Sequence, residues 1–515
     1  MIESRTKKAS RNIIIGVLSK LLIMLFGFAT KTIFVRLLGV EYNGVSGLYT
    51  NILAVLALSE LGVGNVLNYS LYTALRNQDE EKVKDLVSFF KKIYLGIAVA
   101  ISVLGLALVP FLHFIINSDL PVKDLITYYL LYLANSVVSY FVVYKTAVIS
   151  ADQNNYISSI CDIVTTILMY AVQIIFLLLY KSFLGYLIIQ VSFTFIKNMT
   201  MNLMTNIKYP YLRRLNDFKR NLEKEEKNKL ITNIKSTFMY KVAAVILNST
   251  DNILISVIVG TVFVGYYSNY YLIISYMSAF IAVFITGITA GLGNLNSEKN
   301  PETSYRMFNI LCLIFSFIGI TGTCCFINCI QQFIPIWIGS EHVMGFSWVI
   351  IIALNFYLNT LMNPIWLFRE TMGLFKQVRY LMLITAGLNI MFSLVFGLFF
   401  GVPGIIAATF MAKLVSQYWY EPKVLFGKFK QRVSKFYANQ FKQFTVAIGS
   451  TCISYYFCLF AGSGTVGMVL RLFISATISA ICWYILNRDT ESMKMLKDTY
   501  ILPTVSNVFR KVSKR

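Results

Sequence analysis

Polar and charged side chains interrupt two long apolar stretches of this chain. Lys20, Lys31 and Arg36 stand in the first, and Lys241, Asn248, Asp251 and Asn252 in the second. Lys20 and Lys31 are eleven residues apart, close to three helical turns, so on a helix they share a face with Gly27 between them. Spacings of seven, ten and eleven from Lys241 place Asn248, Asp251 and Asn252 along one broad stripe of a second helix. A charge at bilayer depth costs roughly 2.5–3.5 kcal/mol on insertion scales, so such groups usually face a bundle interior or a wet cavity. A stripe with several lysines and few acids prefers an anion, and lysine binds phosphate as a point charge without demanding one geometry. Glu60, Asp162 and Asp251 are the acids available for proton or sodium coupling, or for balancing the lysines.

Blander readings stand beside these. Asp162 and Lys197 fall at similar depth in adjacent predicted helices, where an ion pair holding the helices together is at least as good a reading as function. Lys145 and Arg36 lie near helix ends, within reach of snorkelling to the interface. Asp251 reads equally as a structural residue that caps or cross-links helices. Lys413 and Arg471 complete the intramembrane charges. Only two histidines occur, His113 and His342, both near predicted helix ends, so catalysis by a histidine pair has almost no material. The eight cysteines all lie in apolar segments and none forms a C-x-x-C pair, which favours small buried hydrophobes over a disulfide framework or zinc site. Neither an enzyme nor a resident cofactor is expected.

The elements that position these groups are long helices. Of 515 residues, 57% are hydrophobic and 14% charged, where a soluble chain carries about a quarter charged. Runs of 18 or more apolar residues recur from Ile13 to Leu486, each long enough to cross a ~30 Å hydrocarbon core. We expect an all-α polytopic membrane protein with about 14 transmembrane helices. They fall near residues 13–38, 46–73, 87–116, 122–149, 157–180 and 183–206, then 231–259, 263–292, 306–331, 344–368, 377–400 and 404–421, and finally 443–461 and 465–487. The basic N-terminal segment leads into a helix too long for a signal peptide, so it reads as a retained span.

Charge sets the orientation. With both termini cytoplasmic, the loops and termini on that side hold 35 of the 46 Lys and Arg, the outer loops hold only Lys123 and Lys181, and the other nine lie within spans. The net charge of +22 is therefore a topology signal, with the basic loops against anionic lipid, and nucleic acid is not an expected partner. The outer loops are too short to house an enzyme domain. The charged loop from Tyr209 to Lys229 divides the chain into an N-lobe (1–230), a C-lobe (231–442), and a further helix pair with a basic tail (443–515). A shift of 221 residues supports this division: Lys20 falls on Lys241, Gly39 on Gly260, Gly44 on Gly265 and Tyr49 on Tyr270. Two pseudo-symmetric six-helix lobes with a central site between them is a common transporter plan.

Several stretches carry a family likeness. TDNILIS followed by VGYYSNY, LLGVEYNGVSGLYTNIL, LSELGVGN, and ISADQNNYIS from Ile149 to Ser158 together resemble the polysaccharide transporter family. These are Wzx-type oligosaccharide flippases of the multidrug/oligosaccharidyl-lipid/polysaccharide exporter superfamily. The likeness covers most of the first eight helices; helices 9 to 14 match in layout only. It implies a bacterial plasma-membrane flippase that moves an undecaprenyl-diphosphate-linked oligosaccharide to the outer leaflet by alternating access, for capsule or O-antigen-like export. It also implies that helices 1 and 7 face the cavity, bringing Lys20, Lys31, Lys241, Asp251 and Asn252 with them. Membrane lipids and polysaccharide polymerase or assembly proteins would be its partners. A lipid II flippase is the nearest alternative and a cation/drug antiporter a weaker one, given the basic stripe. A membrane-embedded polymerase or ligase would be expected to carry a long outer loop, which is absent here.

Overall fold

The computed structural model describes residues 5–57, 63–213, 224–297 and 300–497, and among these every regular element is a helix. In chain order they are α1 (Arg5–Leu38), α2 (Val40–Leu56), α3 (Val63–Arg76), α4 (Glu80–Leu108), α5 (Leu112–Ile115), α6 (Val122–Ser139), α7 (Val143–Ala151), α8 (Asn155–Tyr180) and α9 (Phe183–Lys208). Then follow α10 (Lys224–Ile258), α11 (Thr261–Ser297), α12 (Pro301–Ile338), α13 (Phe346–Thr371), α14 (Phe375–Phe400), α15 (Val402–Val415) and α16 (Gln417–Phe429). The chain ends on α17 (Val433–Cys458), α18 (Gly464–Asn487) and the short α19 (Glu491–Leu496). Counting α2/α3, α4/α5, α6/α7 and α15/α16 as single runs gives fourteen runs, with α19 a short addition at the end. Nine described helices are each long and apolar enough to span a bilayer, ten with the bent α6/α7 pair. The other four runs are α2/α3, α9, α10 and α15/α16, which carry breaks or polar stripes.

The breaks have local causes. Between α6 and α7 the axis bends by 45°. There the Asn198 side chain donates to the Val138 carbonyl (2.6 Å), which also accepts from the Phe141 amide (3.2 Å). Pro422 in α16 cannot bond the Tyr418 carbonyl, and the Tyr437 hydroxyl covers that turn by donating to the carbonyls of Tyr418 (3.4 Å) and Trp419 (2.9 Å). Pro364 in α13 likewise frees the Thr360 carbonyl, and the Asn363 side chain donates to Asn359 and Thr360. Several helices overrun their expected ends. α1, α10 and α17 each start well before the apolar run, because their basic flanks are good helix formers that continue into the headgroup region.

The chain divides into two compact units, residues 1–268 and 269–515. In the first, α1 packs on α8, α6 on α9, and α10 on α2. Here α2 and the opening of α11 approach closely. A Cβ on Gly44 would overlap the Thr261 carbonyl oxygen, and a Cβ on Gly265 would overlap that of Val40. The contact is reciprocal, since residues 40 and 44 correspond to 261 and 265 under the 221-residue shift. Tyr49 and Tyr270, also equivalent, are both fully buried. The Tyr49 hydroxyl donates to the Leu125 carbonyl in α6 (2.7 Å), while that of Tyr270 accepts from the Met344 amide just before α13 (2.9 Å). Each therefore ties the second run of its lobe to the start of the fourth.

In the second unit, α12 packs against α13, α17 and α18. The seam with the final pair is polar and buried: the Asn328 amide donates to Ser454 (2.7 Å) and Ser475 (2.9 Å), and Cys324 lies 3.0 Å from Ser454. Small polar residues let helices approach closely where lipid offers no hydrophobic drive for association. Cys324 and Cys458 are buried there as expected of small core residues, whereas Cys452 is exposed.

Candidate functional site

The site is built from the first unit. α1 presents Lys20, Lys31 and Arg36; Lys20 and Arg36 are exposed, and Lys31 is half-buried. The helix lies close to α8, with Gly27 against the Tyr170 hydroxyl and the Ser19 hydroxyl donating to the Ser159 carbonyl (3.4 Å). The Lys31 ammonium sits over the Phe34 ring, 5.1 Å from its centroid. Phe34 opens a cluster of rings drawn from four runs. It packs on Phe183 (5.6 Å) and Tyr186 (5.0 Å), and Phe183 packs on Tyr42 (5.2 Å) and Tyr128 (4.7 Å). Deeper in α2, Tyr49 meets Tyr129 and Tyr132, each at 5.5 Å, and Ser46 bonds the Tyr132 hydroxyl.

No described carboxylate pairs with Lys31. A ring face offsets part of a cation's desolvation but leaves its charge uncancelled. Lys31 thus presents positive charge from within a span with an open demand for an anion.

The second cationic helix is less fully described. α10 carries Lys241 and Asn248 on its backbone, but their side chains lie outside the described residues, as does all of Glu60. Asp251 is 8% exposed. Asn252 is half-buried with its Oδ1 unbonded. Ser256 anchors the end of α10 by donating to the Ile115 carbonyl (2.7 Å). Asp162 pairs with Lys197 at 2.7 Å, joining α8 to α9, with both side chains 42% exposed.

Four polar clamps were missed at the level of sequence. Lys145, read as free to snorkel, is instead 7% exposed, and its ammonium donates to Asn202 (2.7 Å) and Asn206 (2.8 Å) of α9. The signal was present: Thr194, Asn198, Asn202 and Asn206 recur every four residues, a polar stripe along one face of α9. Nearby, the Tyr209 hydroxyl donates to Asp152 (2.8 Å). Burial, with the bond and charge of Asp152, pushes this phenol up, so it stays a donor. In the second unit Arg369 donates two bonds to Glu421 (3.0 and 2.9 Å), and Lys413 donates to Asn359 (3.0 Å). Arg471 reaches the Gly462 carbonyl at 3.5 Å.

Neither a protein-family model nor a curated protein matches the sequence. Solved structures do match the fold. The chain aligns with the lipid II flippase MurJ in an inward closed conformation at 16% identity and TM-score 0.64, covering 92% of this chain and 99% of that one. An inward-facing multidrug resistance MATE family transporter of the MOP superfamily aligns at 14% identity and TM-score 0.59, over 81% and 99%. A point mutant of the Vibrio cholerae MATE transporter VcmN aligns at 12% identity and TM-score 0.58, over 84% and 99%. Apolar helices and this likeness together make the chain a multi-pass membrane protein with the fold of MOP-superfamily transporters.

Proposed function

We propose that this protein is a flippase that carries an undecaprenyl-diphosphate-linked oligosaccharide repeat unit from the inner to the outer leaflet for surface polysaccharide export. It would do so in a bacterial plasma membrane, with both termini cytoplasmic. The observation that carries this reading is Lys31: a half-buried cation inside a span, held over a ring, with no described acid to neutralise it. A diphosphate supplies the missing anion, while its polyprenyl tail stays in lipid. Lys20, Arg36, Lys241, Asn248 and Asn252 extend the same cationic and polar lining. Glu60, Asp251 and Asp162 are the groups available to bind a coupling proton or sodium ion or to balance charge. Of these, Asp162 already has Lys197 as its partner. Alternating access of a central cavity would move the head group, and a polymerase and assembly proteins would receive the product outside.

A second reading, lipid II as cargo, is favoured by the TM-score of 0.64 with a lipid II flippase. The two share the diphosphate-lipid chemistry and differ in the sugar. Cationic drugs suit the lysine lining poorly, which disfavours an antiporter despite the MATE neighbours.

Lipid extracts from cells lacking the gene, with and without a plasmid copy, test the assignment. Accumulated diphosphate-linked oligosaccharide with lost surface polysaccharide is expected. Accumulated lipid II with intact polysaccharide would select the second reading. Unchanged lipid intermediates with new sensitivity to cationic drugs would overturn both.

A further inference from the structure

Among its described residues the open face of α3 carries tyrosine and arginine and no exposed aliphatic side chain. α3 buries Val63, Val66, Leu67, Leu71 and Ala74, so its apolar stripe is spent on packing. Its exposed side chains among the described residues are Tyr69 (74%), Tyr72 (52%) and Arg76, at spacings of three and four that align them on one face. Other spans open mainly aliphatic and phenyl side chains, such as Leu398 and Phe399 on α14 and Ile188 and Leu203 on α9, and exposed tyrosines there stand among them, Tyr380 with Ile384 on α14 and Tyr456 with Ile453 on α17. Those suit hydrocarbon. Two phenols and a guanidinium without an exposed aliphatic neighbour suit an aqueous surface. An interfacial belt tyrosine would instead close off a lipid-facing aliphatic stripe.

The two rings meet edge to face, centroids 6.5 Å apart and planes at 79°, which leaves a ring face open. Neither hydroxyl bonds a described residue, in contrast to the buried hydroxyls of Tyr49, Tyr129 and Tyr132. Arg76 has no described acid partner either. Open π faces attract the polarised C–H face of a pyranose, free phenols exchange hydrogen bonds with its hydroxyls, and the guanidinium suits a head group with negative charge.

We propose that Tyr69, Tyr72 and Arg76 form a sugar subsite that holds the glycan of a diphosphate-linked lipid, separate from the Lys31 charge that holds its phosphates. This rests on the flippase reading above and adds the part of the site that senses the sugar.

The test uses the purified full chain in lipid nanodiscs with two probes: farnesyl diphosphate, and farnesyl diphosphate carrying one N-acetylhexosamine. The stacking face is common to pyranoses, so a single sugar suffices. The wild-type chain is expected to bind the sugar-bearing probe about fivefold more tightly. Tyr69→Leu/Tyr72→Leu should erase that preference while leaving farnesyl diphosphate binding unchanged, and Tyr69→Phe/Tyr72→Phe should keep most of it. In the wild-type chain, the sugar-bearing probe should also slow nitration of these two tyrosines by tetranitromethane more than the bare probe does. That readout stands even where the leucine pair fails to fold. Equal binding of the two probes, an unchanged preference in a folded leucine pair, or equal protection from nitration would each overturn the subsite and leave the flippase reading intact. Failure of the wild-type chain to bind either probe would overturn both.

Discussion

Arg369 and Glu421 show how burial decides what a charge is worth. Their side chains are 5% and 1% exposed and joined by two bonds, so neither has water to fall back on. Removing one partner strands the other, which typically costs 3–5 kcal/mol, whereas replacing both with apolar residues of similar volume is often neutral. Arg369→Ala should therefore lower the unfolding midpoint of the purified protein sharply, and Arg369→Met/Glu421→Leu should recover most of the loss. Equal destabilisation by the single and double variants would show that the pair does more than compensate its own charge. Lys31 belongs to the opposite case. It bonds no described acid, so Lys31→Ala should leave the melting midpoint near wild type while polysaccharide export falls. Lys241→Ala should do the same if α10 shares the lining. Wild-type polymer levels from both variants would remove them from the site.

At the scale of elements, the repeat is written into backbone contacts. Gly44 and Gly265 stand where α2 and the opening of α11 leave no room for a Cβ, each against the carbonyl that corresponds to the other's. Overpacking typically costs about 1–3 kcal/mol, and here the obstacle is backbone, which has little freedom to yield. Gly44→Val and Gly265→Val should each destabilise the protein by about that much or more, to a similar degree, as read by thermal melting in detergent. A large effect at one and none at the other would break the equivalence. Both glycines were legible from the 221-residue shift, as were Tyr49 and Tyr270, because a repeat preserves the residues its geometry cannot do without. The apolar runs likewise marked the spans, since length and hydropathy alone select a bilayer-crossing helix. The bend between α6 and α7 was not legible. No proline or glycine marks it, and the Asn198 side chain that bonds the Val138 carbonyl there is 60 residues away in sequence. The Lys145 clamp was legible in part: the polar stripe of α9 shows in the sequence, but that Lys145 meets Asn202 and Asn206 on it does not. Asp251 was legible as an anomaly, but its burial depends on packing that no local pattern encodes.

For the whole molecule, the expected orientation rests on charge. Fourteen runs, an even number, put both termini on the same side, and 35 of 46 basic residues fall in the loops and termini of that side. Anionic lipid and the insertion machinery both hold such loops inside. Two tight turns offer reporters that this orientation would put on opposite faces. Ser118, between α5 and α6, lies beside Glu41, whose carboxylate accepts from the Ser118 hydroxyl and the Asp119 amide (3.0 Å). Gln153, between α7 and α8, turns the chain with φ at 58°. In a variant without native cysteines, a Cys at 118 should react with a membrane-impermeant maleimide on intact cells, and a Cys at 153 only after the cells are opened. Residues 118 and 153 are separated by a single run, α6/α7, so the pair tests that crossing as well as the orientation. Labelling of both from outside would mean that the bent α6/α7 pair re-enters rather than spans, and every later run would invert. The reverse pattern, 153 outside and 118 inside, would place the basic loops on the outer face. Either outcome would end the flippase reading in its present direction, so this labelling bears on function as directly as on topology.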